Sequence, residues 1–216
     1  ITRPFRELIE YNDTKHGDFD SVQPITISGQ NQEPLAVGWI AHHDYQGAIP
    51  SNCGIRGLRA RVGNIQVGGD RLFLDIFPEE RFNSWTVGEI HVIDDRIMPN
   101  GRRDGFDQSP QLAHLLNHLS PYGMQIARNC RVSSQKRNRL KSVELGIIKI
   151  ENSLIFLRQG ALSKLKEKQI LGDIGSKLNE VRESAKFDLF EEPIQEDLKH
   201  KVSAIEDEIK NFRLRK

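Results

Sequence analysis

The segment Asp94-Asp-Arg-Ile-Met-Pro-Asn-Gly-Arg-Arg-Asp-Gly-Phe106 carries the chain's most distinctive chemistry. It leaves an apolar run, passes Pro99 and the turn-forming pair Asn100-Gly101, then presents Arg102 and Arg103 ahead of Gly105. A tight turn at the end of a rigid strand can aim a guanidinium at an anion, whose oxygens match its planar donor fork. The plainer reading is that Arg102 and Arg103 make local ion pairs with Asp94, Asp95, Asp104 or Asp107, and the sequence leaves both open. His114 and His118 stand i, i+4, a spacing that can put two imidazoles on one metal. No Glu sits beside His114 and no third ligand is evident, so solvent-facing histidines are expected. His42-His43 and His91 form no pattern. Glycines 54 and 57, or 68 and 69, do not make a strand-to-helix phosphate loop, and no Gly-x-Ser-x-Gly elbow exists. Cys53 and Cys130 supply neither a disulfide scaffold nor a zinc site.

The elements that must hold that turn are strands. Leu35, Val37, Trp39 and Ala41 alternate onto one face of an extended run, and Leu58, Ala60 and Val62 do the same with Arg59 and Arg61 opposite. Gly63-Asn64 supplies a two-residue hairpin turn into Ile65-Gln-Val67. Residues 72–77 read as a short strand or a helical turn. The run Trp85 to Ile93 is apolar on both faces near its end and reads as a central strand. Ser109-Pro110 is a helix start, followed by Leu112, Leu115, Leu116 and Leu119 at helical spacing; Ser120-Pro121 repeats the signal and predicts a second helix to about Arg131.

Composition divides the chain. Of its 216 residues, 31 are basic and 30 acidic, a formal net charge of +1 that argues against a polybasic nucleic-acid binder. No apolar run nears the roughly 20 residues of a membrane helix, so no membrane partner is expected. The balance hides a split: through Val132 the only lysine is Lys15, and every proline but Pro193 lies there. From Ser133 onward lysine, glutamate, leucine and isoleucine dominate, a composition that favours long helices. There Leu140, Val143, Ile147, Ile150, Leu154, Leu157 and Ala161 keep a 3,4 repeat. Ile174, Leu178, Val181 and Ala185 resume it after a break at Gly172–Gly175, and Leu198, Val202, Ile205, Ile209 and Phe212 after Pro193. Opening on Ile1 rather than Met, the sequence reads as a fragment. The expectation is an α+β protein: a linker over 1–24, a mixed-sheet α/β sandwich over 25–132, and a helical, coiled-coil-like arm over 133–216.

The run from Ile27 to about Cys130 resembles the middle segment of the ninety-kilodalton heat-shock chaperones and related GHKL-type ATPases. Ser28-Gly29-Gln30 ahead of a strand is similar to the start of that family's middle-domain sheet. The stretch Gly54 to Val67 resembles its basic run followed by an apolar hairpin, and Phe77 to Asp94 its proline-glutamate turn and acidic-ended strand. Met98-Pro-Asn-Gly-Arg-Arg-Asp104 falls where the family has its arginine-bearing turn, with Arg102 in place of a serine and Asp104 of a glutamate. The resemblance implies a transducer-like domain in which Arg103 reaches the γ-phosphate of ATP held by a preceding domain, Asn100 shapes the loop and Arg102 supports it. ATP and Mg²⁺ are implied for the full-length protein, with no nucleotide pocket within this segment. It also implies an upstream nucleotide-binding domain as partner, a cytoplasmic setting and an ATP-driven chaperone-like role, the client unspecified. The helical arm could join two copies of the chain. Two other readings stand beside this one. The first is a non-catalytic α/β and coiled-coil assembly module. The second is a nucleic-acid clamp segment drawing on the basic cluster Lys136-Arg137-Asn138-Arg139-Leu140-Lys141.

Overall fold

The computed structural model describes residues 8–12, 15–160, 162–186, 188 and 190–214. They fall into two compact units, Ile1–Ser134 and Gln135–Lys216.

The first unit is a mixed sheet with a helical layer on one face. Its strands are β1 (Leu8–Asn12), β2 (Lys15–Ser28), β3 (Pro34–His43), β4 (Gly57–Val62), β5 (Ile65–Val67) and β6 (Val87–Val92), in the order β1-β2-β3-β6-β4-β5. All neighbours run antiparallel except β4 and β6. The linker expected over 1–24 is therefore strand from Leu8 where it is described. β6 lies between β3 and β4. The β4–β5 turn is the two-residue one read from Gly63-Asn64: Val62 faces Ile65 across it, and Gly63 has φ 55°. Residues Leu74–Ile76 form a 3₁₀ turn rather than a strand, as do Glu80–Trp85, so Trp85 precedes β6 rather than opening it.

Helix α1 (Pro110–Arg158) begins where Ser109-Pro110 predicts, the Ser109 hydroxyl accepting from the Leu112 amide at 3.1 Å. It does not end at Ser120. Proline inside a helix costs roughly 3 kcal/mol in lost bonding and strain. Leu115, Leu119, Ile126, Ala127 and Cys130 lie fully buried on both sides of Pro121. Each large apolar side chain so buried is worth roughly 1.5–3 kcal/mol, so packing outweighs the break. They share a core with Ile25, Ile27, Ile40, Leu58, Ala60 and Ile90. The alternating row read from β3 is corrected in part: Ile40 faces this main core. Trp39 packs instead on a smaller cluster of Ile9, Ala41, Ile49 and Val87, and Val37 is exposed.

The second unit contains the rest of α1 with α2 (Lys164–Ala185) and α3 (Glu192–Leu214). The first break lies after Arg158 rather than at Gly172–Gly175, which α2 runs through; Ser163 caps α2, its hydroxyl accepting from the Lys166 amide. Pro193 sits in the first turn of α3, where its missing amide proton costs nothing. Val143, Ile147, Ile150, Leu154 and Leu157 of α1 share one buried cluster with Ile174, Leu178, Val181, Leu198, Val202, Ile205 and Ile209. The three repeats close on one another within the chain. Gly146 marks a close approach, since a Cβ there would run into Val181 of α2. Ala161, the last position of the first repeat, lies outside the described residues. Among the described residues no helix is long and apolar enough to cross a membrane.

Candidate functional site

The arginine turn is built from its ends inward. Beyond β6 the amides of Ile93 and Asp94 both donate to the Leu35 carbonyl, at 2.9 and 3.2 Å, and Ile97 is buried in the main core. Pro99 and Phe106 form an isolated β-bridge, with the Asp107 amide donating to the Met98 carbonyl at 2.9 Å and Phe106 buried in the same core. Two apolar anchors thus fix both ends of a loop of six residues, 100–105.

Inside the loop the hydrogen bonds cross. The Asn100 amide donates to the Gly105 carbonyl at 3.0 Å, and the Arg103 amide to the Asn100 carbonyl at 2.9 Å. The Asn100 side chain clasps Asp104: its Nδ2 donates to Oδ1 at 2.7 Å, and its Oδ1 accepts from the Asp104 amide at 3.2 Å. From outside, the Gly68 amide donates to the Arg103 carbonyl at 2.8 Å. Both backbone polar groups of Arg103 are therefore bonded.

Arg103 itself has φ 58°, one of three described non-glycine residues in the left-handed region. Within the turn read from Asn100-Gly101, the left-handed backbone falls at Arg103 and not at Gly101. For a long side chain this conformation costs of order 1 kcal/mol. The Arg103 and Arg102 side chains are exposed, and among the described residues neither makes an ion pair or side-chain hydrogen bond. The local pairs with Asp94, Asp95, Asp104 or Asp107 are not formed. No hydrogen bond of the loop runs through the Arg102 side chain, so its contribution to the turn is one of charge and backbone.

Arg96, seven residues earlier, is the contrasting case. Its guanidinium binds Asp94 and reaches Glu33 at 3.0 Å, across 63 residues of sequence. Hydrogen bonding from Arg96 holds the Asp94 and Glu33 carboxyls below their ordinary values. The recess beside it, lined by Gly29, Glu33, Gln111 and His114, thus presents a guanidinium already satisfied by two carboxylates. The chain neutralises one arginine after β6 and leaves two others open.

The two histidines of α1 are structural. The rings of His114 and His118 stack 4.0 Å apart, and each donates to a backbone carbonyl, of Ser28 and of His114. Among the described residues no group of three or more His, Cys, Asp or Glu side chains is placed to hold a metal ion. His43, which formed no pattern in the sequence, is the buried histidine among the described residues. Its Nε2 donates to the Trp85 carbonyl at 2.8 Å, and its Nδ1 accepts from the Tyr45 amide at 3.1 Å and the Tyr11 hydroxyl at 2.9 Å. His42 donates from Nε2 to Gln23 and accepts the Tyr45 hydroxyl at 2.6 Å. Burial pushes both imidazoles below their ordinary pKa and the Tyr45 phenol above its own. Neutral, enclosed rings of this kind lock strands together rather than shuttle protons. In the basic cluster, Lys136 pairs with Glu191, and Arg137 and Arg139 are also engaged.

Sequence reasoning missed Gly68, which it weighed only as part of a phosphate loop. Its φ is 63°, and a Cβ there would stand 2.8 Å from the Asp104 carbonyl oxygen. The only signal was its place at the end of a hairpin. No protein-family model, curated protein or solved structure matches this chain.

Proposed function

We propose that this chain is the transducer-like middle segment and helical arm of a cytoplasmic, chaperone-like GHKL ATPase, in which Arg103 completes an ATP site held by a preceding domain. The observation that carries the reading is the open guanidinium of Arg103 on a backbone bonded at both its amide and its carbonyl. A pre-positioned, unpaired cation is what stabilises spreading phosphoryl charge without rearranging solvent. The donor set fits phosphate oxygens, and Arg103 would hold those of the γ-phosphate. The Mg²⁺ that the resemblance implies would be held by the nucleotide domain. ATP would supply the phosphoryl group whose transfer to water drives the arm. Within this chain Asn100 and Gly68 hold the backbone from which the guanidinium projects, and Arg102 adds a second positive charge beside it.

The test is turnover of the full-length protein at saturating ATP. Arg103→Ala should reduce it far more than Arg102→Ala or Arg96→Ala; arginines in such roles contribute roughly 10³–10⁵ in rate at most. Arg103→Lys should recover little, because a point charge lacks the planar fork. Arg103→Gly keeps the left-handed backbone, so it should lose turnover while holding the parental melting temperature. Parental turnover in Arg103→Ala would make the arginine structural and leave the non-catalytic assembly module as the better reading.

A further inference from the structure

Helix α1 is apolar on two opposite faces within the second unit. One face is the buried repeat of Val143, Ile147, Ile150, Leu154 and Leu157. At 100° per residue, Leu145, Ile148, Asn152 and Ile155 stand on the other side of the same helix, with Phe156 at its edge. Leu145, Ile148, Ile155 and Phe156 are 48%, 50%, 51% and 48% exposed. Over α2 and α3 the only exposed large apolar side chain among the described residues is Leu165, at the start of α2. The outer surfaces of those helices are charged, and α1 alone turns an apolar stripe outward.

We infer that this stripe joins two copies of the chain in parallel, α1 against α1 in register. Leu145, Ile148, Asn152 and Ile155 repeat at 3, 4 and 3, the spacing with which one helix packs on another of the same repeat. A stripe that mates with its own copy about a two-fold axis needs no separate partner surface. Charge sets the direction. In the parallel arrangement Glu144 of each copy lies beside Lys149 of the partner, twice per dimer. An antiparallel pairing centred on the same four positions sets Lys149 against the partner's Lys149 and Glu151 against the partner's Glu151. Among the described residues Lys149 and Glu151 have no ion-pair partner within the chain, and Glu144 acts on Lys201 of α3 through space without a salt bridge, so these charges are available to decide. Asn152 decides the same way: in parallel register it meets the partner's Asn152, amide to amide, whereas antiparallel it faces the partner's Ile148. A single asparagine at such a layer specifies a two-stranded, in-register pair. The surface is distinct from the Leu198–Phe212 repeat, which the chain buries itself, and the inference does not depend on the role of Arg103.

Sedimentation velocity over a range of protein concentrations is the first test. The chain should form a dimer, and Ile148→Glu with Ile155→Glu should leave only monomer at concentrations where the parent is dimeric. Both side chains are half exposed, so the monomer's helicity should not change, which separates lost pairing from lost folding. Orientation is read by oxidative cross-linking of Leu145→Cys in a Cys53→Ser background. Parallel copies place the two cysteines in one layer and should cross-link; antiparallel copies hold them about 15 Å apart along the axis. A parent chain that stays monomeric, whether or not it takes up an unrelated protein or lipid vesicles on this face, overturns the inference. So does a dimer that survives the double substitution, or one that Leu145→Cys does not cross-link.

Discussion

Both units close on an apolar core, and the first adds buried polar side chains to it. In the first, buried polar side chains tie segments far apart in sequence. His43 joins Tyr11, Tyr45 and Trp85, and Asn83 accepts from the Leu58 amide while donating to the Asp70 carbonyl. In the second, cohesion is one apolar cluster drawn from three helices, with ion pairs such as Arg158–Glu208 and Arg182–Glu206 on its surface. Apolar contacts supply more free energy, but they are non-directional. Hydrogen bonds supply less and fix angles. On the reading proposed for Arg103, its loop draws on the second kind, whereas three packed helices need only the first. The two units should therefore fail differently.

The largest expected effect is in the helical unit. Ile205 and Ile209 are 4% and 8% exposed. Replacing each with Asp loses roughly 1.5–3 kcal/mol of burial and forces a carboxylate to be desolvated or the helix to detach. Against a typical domain stability of roughly 5–15 kcal/mol, the pair should unfold the three-helix packing. Ellipticity at 222 nm should drop in a separate early transition while the sheet's near-ultraviolet signal keeps its melting point. Ile148→Glu with Ile155→Glu, on the opposite face of α1, should leave both signals unchanged in the monomer. Equal losses from the buried and the outer pair would erase the distinction between the faces.

What could be read in advance follows the same division. The repeats of the second unit were legible because a helix meets its packing partners at a fixed short spacing, so Leu198, Val202, Ile205 and Ile209 announced a buried stripe. Their ends were not. Gly172 and Gly175 read as a break, yet α2 passes through them, because each costs only about 1 kcal/mol against the burial of Ile174 and Leu178. The strands and the Gly63-Asn64 turn were legible for the same local reason. The polar ties were not, since the partners of His43 lie 32 and 42 residues away and Arg96 finds Glu33 63 residues away. At the candidate site, residue types pointed to Arg102 and Arg103, and only the fold could show both unpaired and Arg96 satisfied. The hold of Gly68 on the loop had no sequence signal beyond the end of a hairpin.

Gly68 gives the next effect in size. With φ 63° and the Asp104 carbonyl in the way, Gly68→Ala must bear left-handed strain of roughly 1–2 kcal/mol and a shift of the arginine loop as well. Gly63 supplies the control: its φ is 55°, but a Cβ there meets nothing within 4 Å. Gly63→Ala should show the strain alone. The urea midpoint should fall further for Gly68→Ala than for Gly63→Ala, and in the full-length protein only the former should lower ATP turnover. Matching behaviour of the two would mean that the hairpin end does not set the loop.

The smallest effect separates the units by pH. His43 is held neutral by burial, opposed by its bond to the Trp85 carbonyl and by Asp44, so its pKa in the folded chain lies below the ordinary 6.5. Protonation would place a second N–H at Nδ1, where the Tyr45 amide already donates, and the lock on Tyr45 and Tyr11 would be lost. The unfolded chain takes up that proton near pH 6.5 and the folded one only at lower pH, so the contribution is complete above 6.5. It declines as the pH falls from there through the folded pKa, with a slope of at most about 1.4 kcal/mol per pH unit for one proton. His42, also lowered by burial but more exposed, adds a weaker decline in the same direction. The carboxylates held down by arginine, Asp94, Glu33 and Glu79, lose their share only below their ordinary values of 3.8 and 4.5, so the interval from pH 7 to 5.5 isolates the imidazoles. Over that interval the sheet unit's unfolding free energy should fall more steeply than that of the helical unit, which buries no histidine among its described residues. His43→Gln should be less stable at pH 7 but less steep between pH 7 and 5.5. Parallel slopes in parent and variant would show that the pH dependence comes from elsewhere and that the lock is not what sets the sheet unit apart.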